Sequence, residues 1–234
     1  MITCAVCQTQ NNHLAIVCSQ CGGFLQTRAD TLDLFSTIWG IMERPSKAFH
    51  KIAVAKHKNY AYIVSSVAGI GFAFLIFWLL NAADYSDSLV NILGAGLLAG
   101  PVFGLAAIPL FALFLKLTMR AFRMTVAFRS VLAVSAYAFI PQVISVFLIL
   151  PVKLMTFGTF YFSGNPSPWS LKPSSYALLL GLDALCAGWS FLLLAIGVKT
   201  LIGGAWVRAM SVLAIPLVLI VIVITVILRQ TLHP

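Results

Sequence analysis

Four cysteines near the start of the chain form two Cys-x-x-Cys pairs, Cys4/Cys7 and Cys18/Cys21, ten residues apart. Four thiolates at this spacing suit one tetrahedral zinc ion, provided the compartment keeps the thiols reduced. Iron at the same ligands and a pair of disulfides are the competing readings. Gly22 and Gly23 follow the second pair and permit the tight turn of such a knuckle, whereas Gln8 follows the first. A metal held by four protein sulfurs keeps no position for water, so the expected role is structural. His13, between the pairs, reads as a solvated loop histidine rather than a fifth ligand.

The second place for chemistry is Asp183, the one acid inside a long apolar run. An ionised acid at mid-bilayer costs about 2.5–3.5 kcal/mol on insertion scales, so it needs a partner. Gln142 lies at a matching depth, within about 3 Å at 1.5 Å rise per residue. The expectation is an Asp183–Gln142 contact, with Asp183 protonated or bonded to Gln142 and Tyr137. A polar clamp between helices is the first reading of this set, and a proton or substrate relay the alternative. Cys186, in the same run, is expected to pack as a small apolar side chain. The chain has no His between His57 and His233, which removes intramembrane His-based zinc sites and Ser–His pairs. A lone acid also removes a two-aspartate protease, so the chain reads as non-enzymatic.

The elements that must position these residues are membrane helices. Of 234 residues, 61% are hydrophobic and 9% charged, far below the roughly 25% charge of soluble domains. The fold class is an all-α polytopic membrane protein with five transmembrane helices, an interfacial amphipathic helix and a small N-terminal zinc ribbon. Residues 1–24 form the ribbon, 25–58 the linker and interfacial segment, and 59–230 the five-span domain. The expected spans are Tyr60–Leu80, Leu89–Leu115, Val131–Leu150, Tyr176–Val198 and Val207–Leu228, each near the ~20 residues a crossing needs. Pro101 and Pro109 predict a kinked or tilted second span, and Pro141 and Pro216 kink the third and fifth. Gly96, Gly100 and Gly104 make a small-residue row for close approach of another helix, within the chain or in a homo-oligomer. Leu32, Phe35, Trp39 and Met42 recur at helical spacing before the first span. They predict a segment lying in the interface, with Lys47, Lys51, Lys56 and Lys58 at lipid headgroups.

The net charge of +9 collects at the ends of apolar runs, which points to topology and anionic lipid rather than nucleic acid. With the N-terminus inside, twelve of the fifteen Lys and Arg fall inside, and only Lys153, Lys172 and Arg229 fall outside. That places the N-terminus in the cytoplasm and the C-terminus outside the cytoplasmic membrane. Tyr85, Tyr161 and Trp169 are expected at the outer interface, and Tyr60 and Trp206 at the inner one. The start of the chain lacks the basic and apolar regions of a signal peptide.

Three segments resemble the Yip family, the five-pass proteins named for interaction with Ypt/Rab GTPases. The run Arg44-Pro45-Ser46-Lys47-Ala48-Phe49-His50-Lys51-Ile52 is similar to its Pro-containing segment before the first span. Ser135-Ala136-Tyr137-Ala138-Phe139-Ile140-Pro141 is similar to its third-span Tyr…Pro motif, and Leu182-Asp183 through Trp189 to its fourth-span pattern. The resemblance covers roughly residues 35–230. It implies a cytoplasmic N-terminus, an outer C-terminus and partner membrane proteins. The family's Asp-Leu-Tyr-Gly-Pro motif is replaced here by Asp33-Leu34-Phe35-Ser36-Thr37, which speaks against a Rab partner. The reading is a scaffold, adaptor or membrane-organising protein with a cytoplasmic docking head. Its partners would be the lipid bilayer and other membrane proteins, or a cytoplasmic protein met through the ribbon. The alternative is a transporter or channel for a lipid or small solute using Asp183 and Gln142.

Overall fold

The structure is a computed structural model that describes residues 1–26, 31–58, 60–86 and 88–232, with the backbone alone at 220, 223, 224 and 226–232. Arg28 and the side chain of Arg229, both used in the charge count, lie outside what is described. The chain opens with two short antiparallel strands, β1 (Ile2–Thr3) and β2 (Gln10–Asn11), paired Ile2 to Asn11 and Thr3 to Gln10. Past the isolated Val17–Phe24 bridge, the α-helices among the described residues are α1 (Leu34–Glu43), α2 (Pro45–Val54), α3 (Ala61–Leu79), α4 (Leu89–Ala121), α5 (Phe128–Ala138), α6 (Ile140–Phe157), α7 (Pro168–Leu171), α8 (Pro173–Ile202) and α9 (Trp206–Leu232). Among the described residues, four stretches are long and apolar enough to cross a membrane: α3, α4, the combined Phe128–Phe162 and α8. The apolar helix Trp206–Leu219, counted over its described residues, opens the fifth.

The third span is the hub. Its apolar window is 56% buried in the protein, against 22–33% for the other three. Every residue from Ser130 to Ala138 is buried. Small side chains there (Ser130, Ala133, Ser135, Ala136, Ala138) let neighbouring helices close in from several sides. This span starts earlier than expected and is broken once. Pro141 has no N–H to return to the preceding turn, so α5 ends at Ala138 and α6 restarts at Ile140. Phe139 carries the join, donating to Ala136 O and accepting from the N–H groups of Gln142 and Val143. Pro151, expected in a loop, lies inside α6, which runs on to Phe157.

By contrast α4 is one helix of 33 residues, about 50 Å long, with Pro101 and Pro109 inside it. That exceeds about 30 Å of hydrocarbon and fits an overhanging or tilted crossing. It lies against α3 along the glycine row. A Cβ on Gly104 would stand 2.1 Å from Ser65 O, one on Gly100 2.6 Å from Ile70 Cα, and one on Gly96 2.5 Å from Phe74 Cε1. On the other helix, a Cβ on Gly69 would stand 2.2 Å from Gly100 O. The two backbones therefore touch, and the row is filled by the chain's own α3.

The segment before the first span is two helices joined at Arg44, as Pro45 leads one to expect, because Pro45 starts a new helix at its N1 position. It departs from expectation in where the second helix packs. Asp33 caps α1, its carboxylate accepting from Ser36 N at 2.7 Å. The apolar face of α2 does not lie on lipid. Phe49 and Ile52 are fully buried and α2 packs on α5 and α8, so protein takes the place assigned to the membrane interface. Phe49 fits because Gly197 of α8 has no side chain; a Cβ there would come 3.3 Å from the Phe49 ring and 2.4 Å from Val134. Only α1 keeps a free apolar face, with Phe35, Trp39 and Met42 exposed while Leu32 and Ile41 are buried.

Candidate metal centre and intramembrane polar site

The two cysteine pairs fold into matching knuckles. Gln8 N donates to Cys4 O and Gly22 N to Cys18 O, both at 3.0 Å. Cys4 N then bonds Thr9 O and Cys18 N bonds Gly23 O, closing the same loop twice. Both turns need a left-handed residue just after the second cysteine. Gly22 supplies it at φ 71°, and Gln8 adopts it at φ 62° despite its side chain. The pairing β1–β2 and the Val17–Phe24 bridge frame the two loops and aim them at each other.

The sulfurs meet across the knuckles, Cys4 to Cys21 at 3.6 Å and Cys7 to Cys18 at 3.4 Å, and all four lie within 4.8 Å of one another. A tetrahedron with zinc–sulfur bonds of about 2.3 Å has edges of about 3.8 Å, so the set fits a metal of that size. All four are free thiols. Backbone N–H groups of Cys21 and Gln20 hold the Cys18 thiol down to about 6, with help from the Asn11 amide. The hydroxyl and backbone of Thr9 lower Cys7. Cys21 goes the other way: Gly23 N–H favours its thiolate, but Cys7, Cys4 and burial outweigh that and push it to about 12. Without a cation the cluster thus resists full deprotonation, the charge problem that a divalent metal removes. Four protein sulfurs make a closed set, so the cluster can hold a fold together and offers no site for a reacting water.

The head is docked on the bundle, and the histidine expected in solvent does the docking. His13 Nε2 lies 2.9 Å from Thr200 O, in the last turn of α8. Its ring lies over Gly203, where a Cβ would come within 2.6 Å, and Gly203 itself has φ 65°. A carbonyl in that last turn lacks an intrahelical donor, which is why a ring N–H fits there. Gln26 adds a second tie: its Nε2 donates to Ala15 O at 2.8 Å, and its Oε1 meets His50 Nε2 of α2 at 3.1 Å. The head leaves Val6, Val17 and Phe24 exposed.

The polar set in the membrane is not the expected one. Asp183 Oδ1 accepts from Ser145 Oγ at 2.9 Å, and Asp183 Oδ2 forms an ion pair with Lys153 Nζ. Lys153 also donates to Tyr161 Oη at 3.0 Å. Gln142 is not the partner of Asp183, and the Tyr137 hydroxyl is buried without a hydrogen bond. The reason is side-chain direction. On every α-helix the Cβ leans toward the N-terminus. Asp183 on α8 therefore leans toward the end of the bundle away from the head, and Lys153 on the antiparallel α6 leans back toward Asp183. Equal Cα depth favoured Gln142, but Gln142 leans away. Lys153 is accordingly not a loop residue of the outer surface; it is 5% exposed inside α6. Tyr161 turns in with it, at 7%, instead of lying at the interface, whereas Tyr85 and Trp169 remain exposed. Cys186 lies one turn along α8 from Asp183 and is half-buried.

Fold and site together define a multi-pass helical membrane protein that carries a four-cysteine head suited to a metal ion. The Yip1 domain family matches residues 39–228, and the chain belongs to that family. The match begins within α1, so the cysteine head precedes the family domain. Comparison with curated proteins and with solved structures returns no match.

Proposed function

We propose that this Yip-family protein is a non-enzymatic scaffold or adaptor of the cytoplasmic membrane, with the head as its cytoplasmic docking face. The observation that carries the reading is the anchoring of the head. His13 and Gln26 tie it to α8 and α2, so its position relative to the membrane is fixed while Val6, Val17 and Phe24 stay open to a partner. A head that served only to cap the chain would not need exposed apolar side chains beside its anchor residues. The metal in this reading is structural zinc, held by Cys4, Cys7, Cys18 and Cys21.

The charge distribution supports an inside head. The helix ends near it carry Lys47, Lys51, Arg120, Arg123, Arg129, Lys199 and Arg208. With Lys153 withdrawn into α6, Lys172 is the described cation left at the other end. This sharpens the positive-inside asymmetry and supports a cytoplasmic N-terminus. Phe35, Trp39 and Met42 of α1 provide a further apolar face on the same side, open to lipid or to a second membrane protein.

Photo-crosslinkers at positions 6 and 24, in cells, test the reading. A discrete protein adduct is expected that disappears when Cys4 and Cys7 become Ser while membrane insertion persists. Adducts that survive loss of the cysteines would refute docking through the folded head.

A further inference from the structure

The two helices before the first span divide their surfaces in opposite ways. Between Asp33, which caps α1, and Glu43 at its end, α1 carries no charged side chain. Leu32, Thr37 and Ile41 are buried on its bundle side. Phe35, Trp39 and Met42, at spacings of four and three, stand 82%, 72% and 43% exposed on the other. A helix apolar on both sides belongs where protein or lipid covers both. No described part of the chain covers the second side. α2 instead buries its apolar residues Phe49 and Ile52 and leaves Lys47 and Lys51 exposed. Lys56, two residues past its end, is exposed as well.

The basic residues run beside the apolar stripe. The helices fold back about Arg44, with a Cβ on Gly40 standing 3.6 Å from Ala48 Cβ. The Asp33 carboxyl, held low first by the N–H and hydroxyl of Ser36, is lowered further by the charge of Lys51. Arg44 is engaged by Glu43 at 3.3 Å, but Lys47, Lys51 and Lys56 form no ion pair among the described residues.

Contacts with the spans fix the depth of this hairpin. Phe49 packs at Gly197, five residues before the end of α8, about 8 Å along its axis. Ser130, the third residue of α5, donates to Ala53 O at 3.4 Å. Both contacts lie at the end of the bundle where Lys199 Nζ stands 4.2 Å from the Trp206 ring centre, a basic and aromatic pair of the kind that marks a membrane surface. The hairpin thus lies about one to two turns inside the ends of the spanning helices, matching the roughly 5–10 Å to which amphipathic helices enter the boundary of headgroups and acyl chains.

From this placement we infer that the α1–α2 hairpin docks on the anionic headgroup layer of its own leaflet, with Phe35, Trp39 and Met42 below the headgroups and Lys47, Lys51 and Lys56 on lipid phosphates. Charge and continuity both select this occupant. An uncharged apolar stripe flanked by unpaired lysines complements an anionic lipid surface. That surface already surrounds the spans on which α2 packs, and only residues 55–60 separate α2 from the first span. Docking of this kind assigns the α1 face to lipid and is independent of any partner at the head.

Full-length, metal-loaded protein in lipid nanodiscs tests this, with an environment-sensitive fluorescent amino acid replacing Phe35 or, separately, Trp39. Both positions are exposed, so a bulky substitute fits. The nanodiscs are phosphatidylcholine with or without phosphatidylglycerol. With phosphatidylglycerol, lipids brominated high on the acyl chain should quench the label, and aqueous acrylamide should not. Quenching by bromolipid should fall several-fold without phosphatidylglycerol, or in salt at about 1 M, where the Debye length drops to about 3 Å. Lys47→Gln, Lys51→Gln and Lys56→Gln together, checked for protease-resistant spans, should reduce it in the same way. Free access of acrylamide to both labels overturns the docking. Shielding from both quenchers means that protein covers the face, and overturns lipid as the occupant. Equal bromolipid quenching in the two lipid mixtures overturns the anionic preference. Quenching only by added brominated vesicles would place the stripe in a second membrane and overturn docking on its own leaflet.

Discussion

Alanine at position 104 should force α3 and α4 apart where their backbones touch. Its Cβ would stand 2.1 Å from Ser65 O, about 1.3 Å inside the 3.4 Å at which ordinary contact begins, and 2.7 Å from Gly69 Cα. Both obstacles are backbone, so no side chain can swing aside and α3 and α4 must part. A gap of 0.5–1 Å forfeits about a quarter to a half of each dispersion contact along the seam. Overpacking of this kind costs about 1–3 kcal/mol, and the absence of any rotamer escape puts Gly104→Ala at about 3 kcal/mol. Alanine returns up to about 1 kcal/mol of helix propensity, leaving a net loss of about 2 kcal/mol. Gly94, on the same helix, is the control, since nothing lies within 4 Å of a Cβ there. Gly94→Ala should be neutral or stabilising by up to about 1 kcal/mol. Reversible unfolding in mixed detergent micelles reads both. If Gly104→Ala lies within about 0.5 kcal/mol of wild type, the backbone contact between α3 and α4 is not as described, because surface-like values are of that size.

Chelation of the metal, or Cys4→Ser, should make residues 1–26 sensitive to protease while the spans stay resistant, with one metal ion lost per chain by elemental analysis. Retention of a protected head after metal loss would show that the β1–β2 pairing alone suffices. His13→Ala should leave metal binding intact yet raise amide exchange in the head, through loss of one hydrogen bond worth about 0.5–1.5 kcal/mol; unchanged exchange would mean that His13 does not anchor it. Lys153→Met should destabilise by about 3–5 kcal/mol as the uncompensated partner is left behind, and Lys153→Met with Asp183→Asn by much less. Additive losses in that thermal-denaturation cycle would rule out the pairing of Lys153 with Asp183.

Much of this was legible in the sequence, and for clear reasons. Cysteine spacing carries its own geometry: two residues between ligands make a knuckle wherever it occurs, so Cys4, Cys7, Cys18 and Cys21 point to one cluster before any coordinates exist. Apolar run length is set by bilayer thickness, so α3, α4, α8 and the start of α9 fall close to their expected bounds. Pro141 forbids one hydrogen bond and marks the break in the third span. The spacing of Gly96, Gly100 and Gly104 announces a close helix contact.

Tertiary structure decided what local pattern cannot hold. An amphipathic helix has the same periodicity whether its apolar face meets lipid or protein; Gly197, 148 residues after Phe49, is what lets the bundle take α2. His13 reads as a loop residue until the end of α8, 187 residues on, offers it a carbonyl. Lys153 beside Pro151 looks like the start of a loop, and only the continuation of α6 carries it inward. The choice of Lys153 over Gln142 as the partner of Asp183 turned on the lean of side chains on antiparallel helices and on the reach of a four-carbon stem. Sequence therefore determined which groups carry charge or can hold a metal and how far apart they fall along the chain. Which of them meet was decided by helix direction and packing, because contact depends on where a side chain's end lies and not on the depth of its Cα.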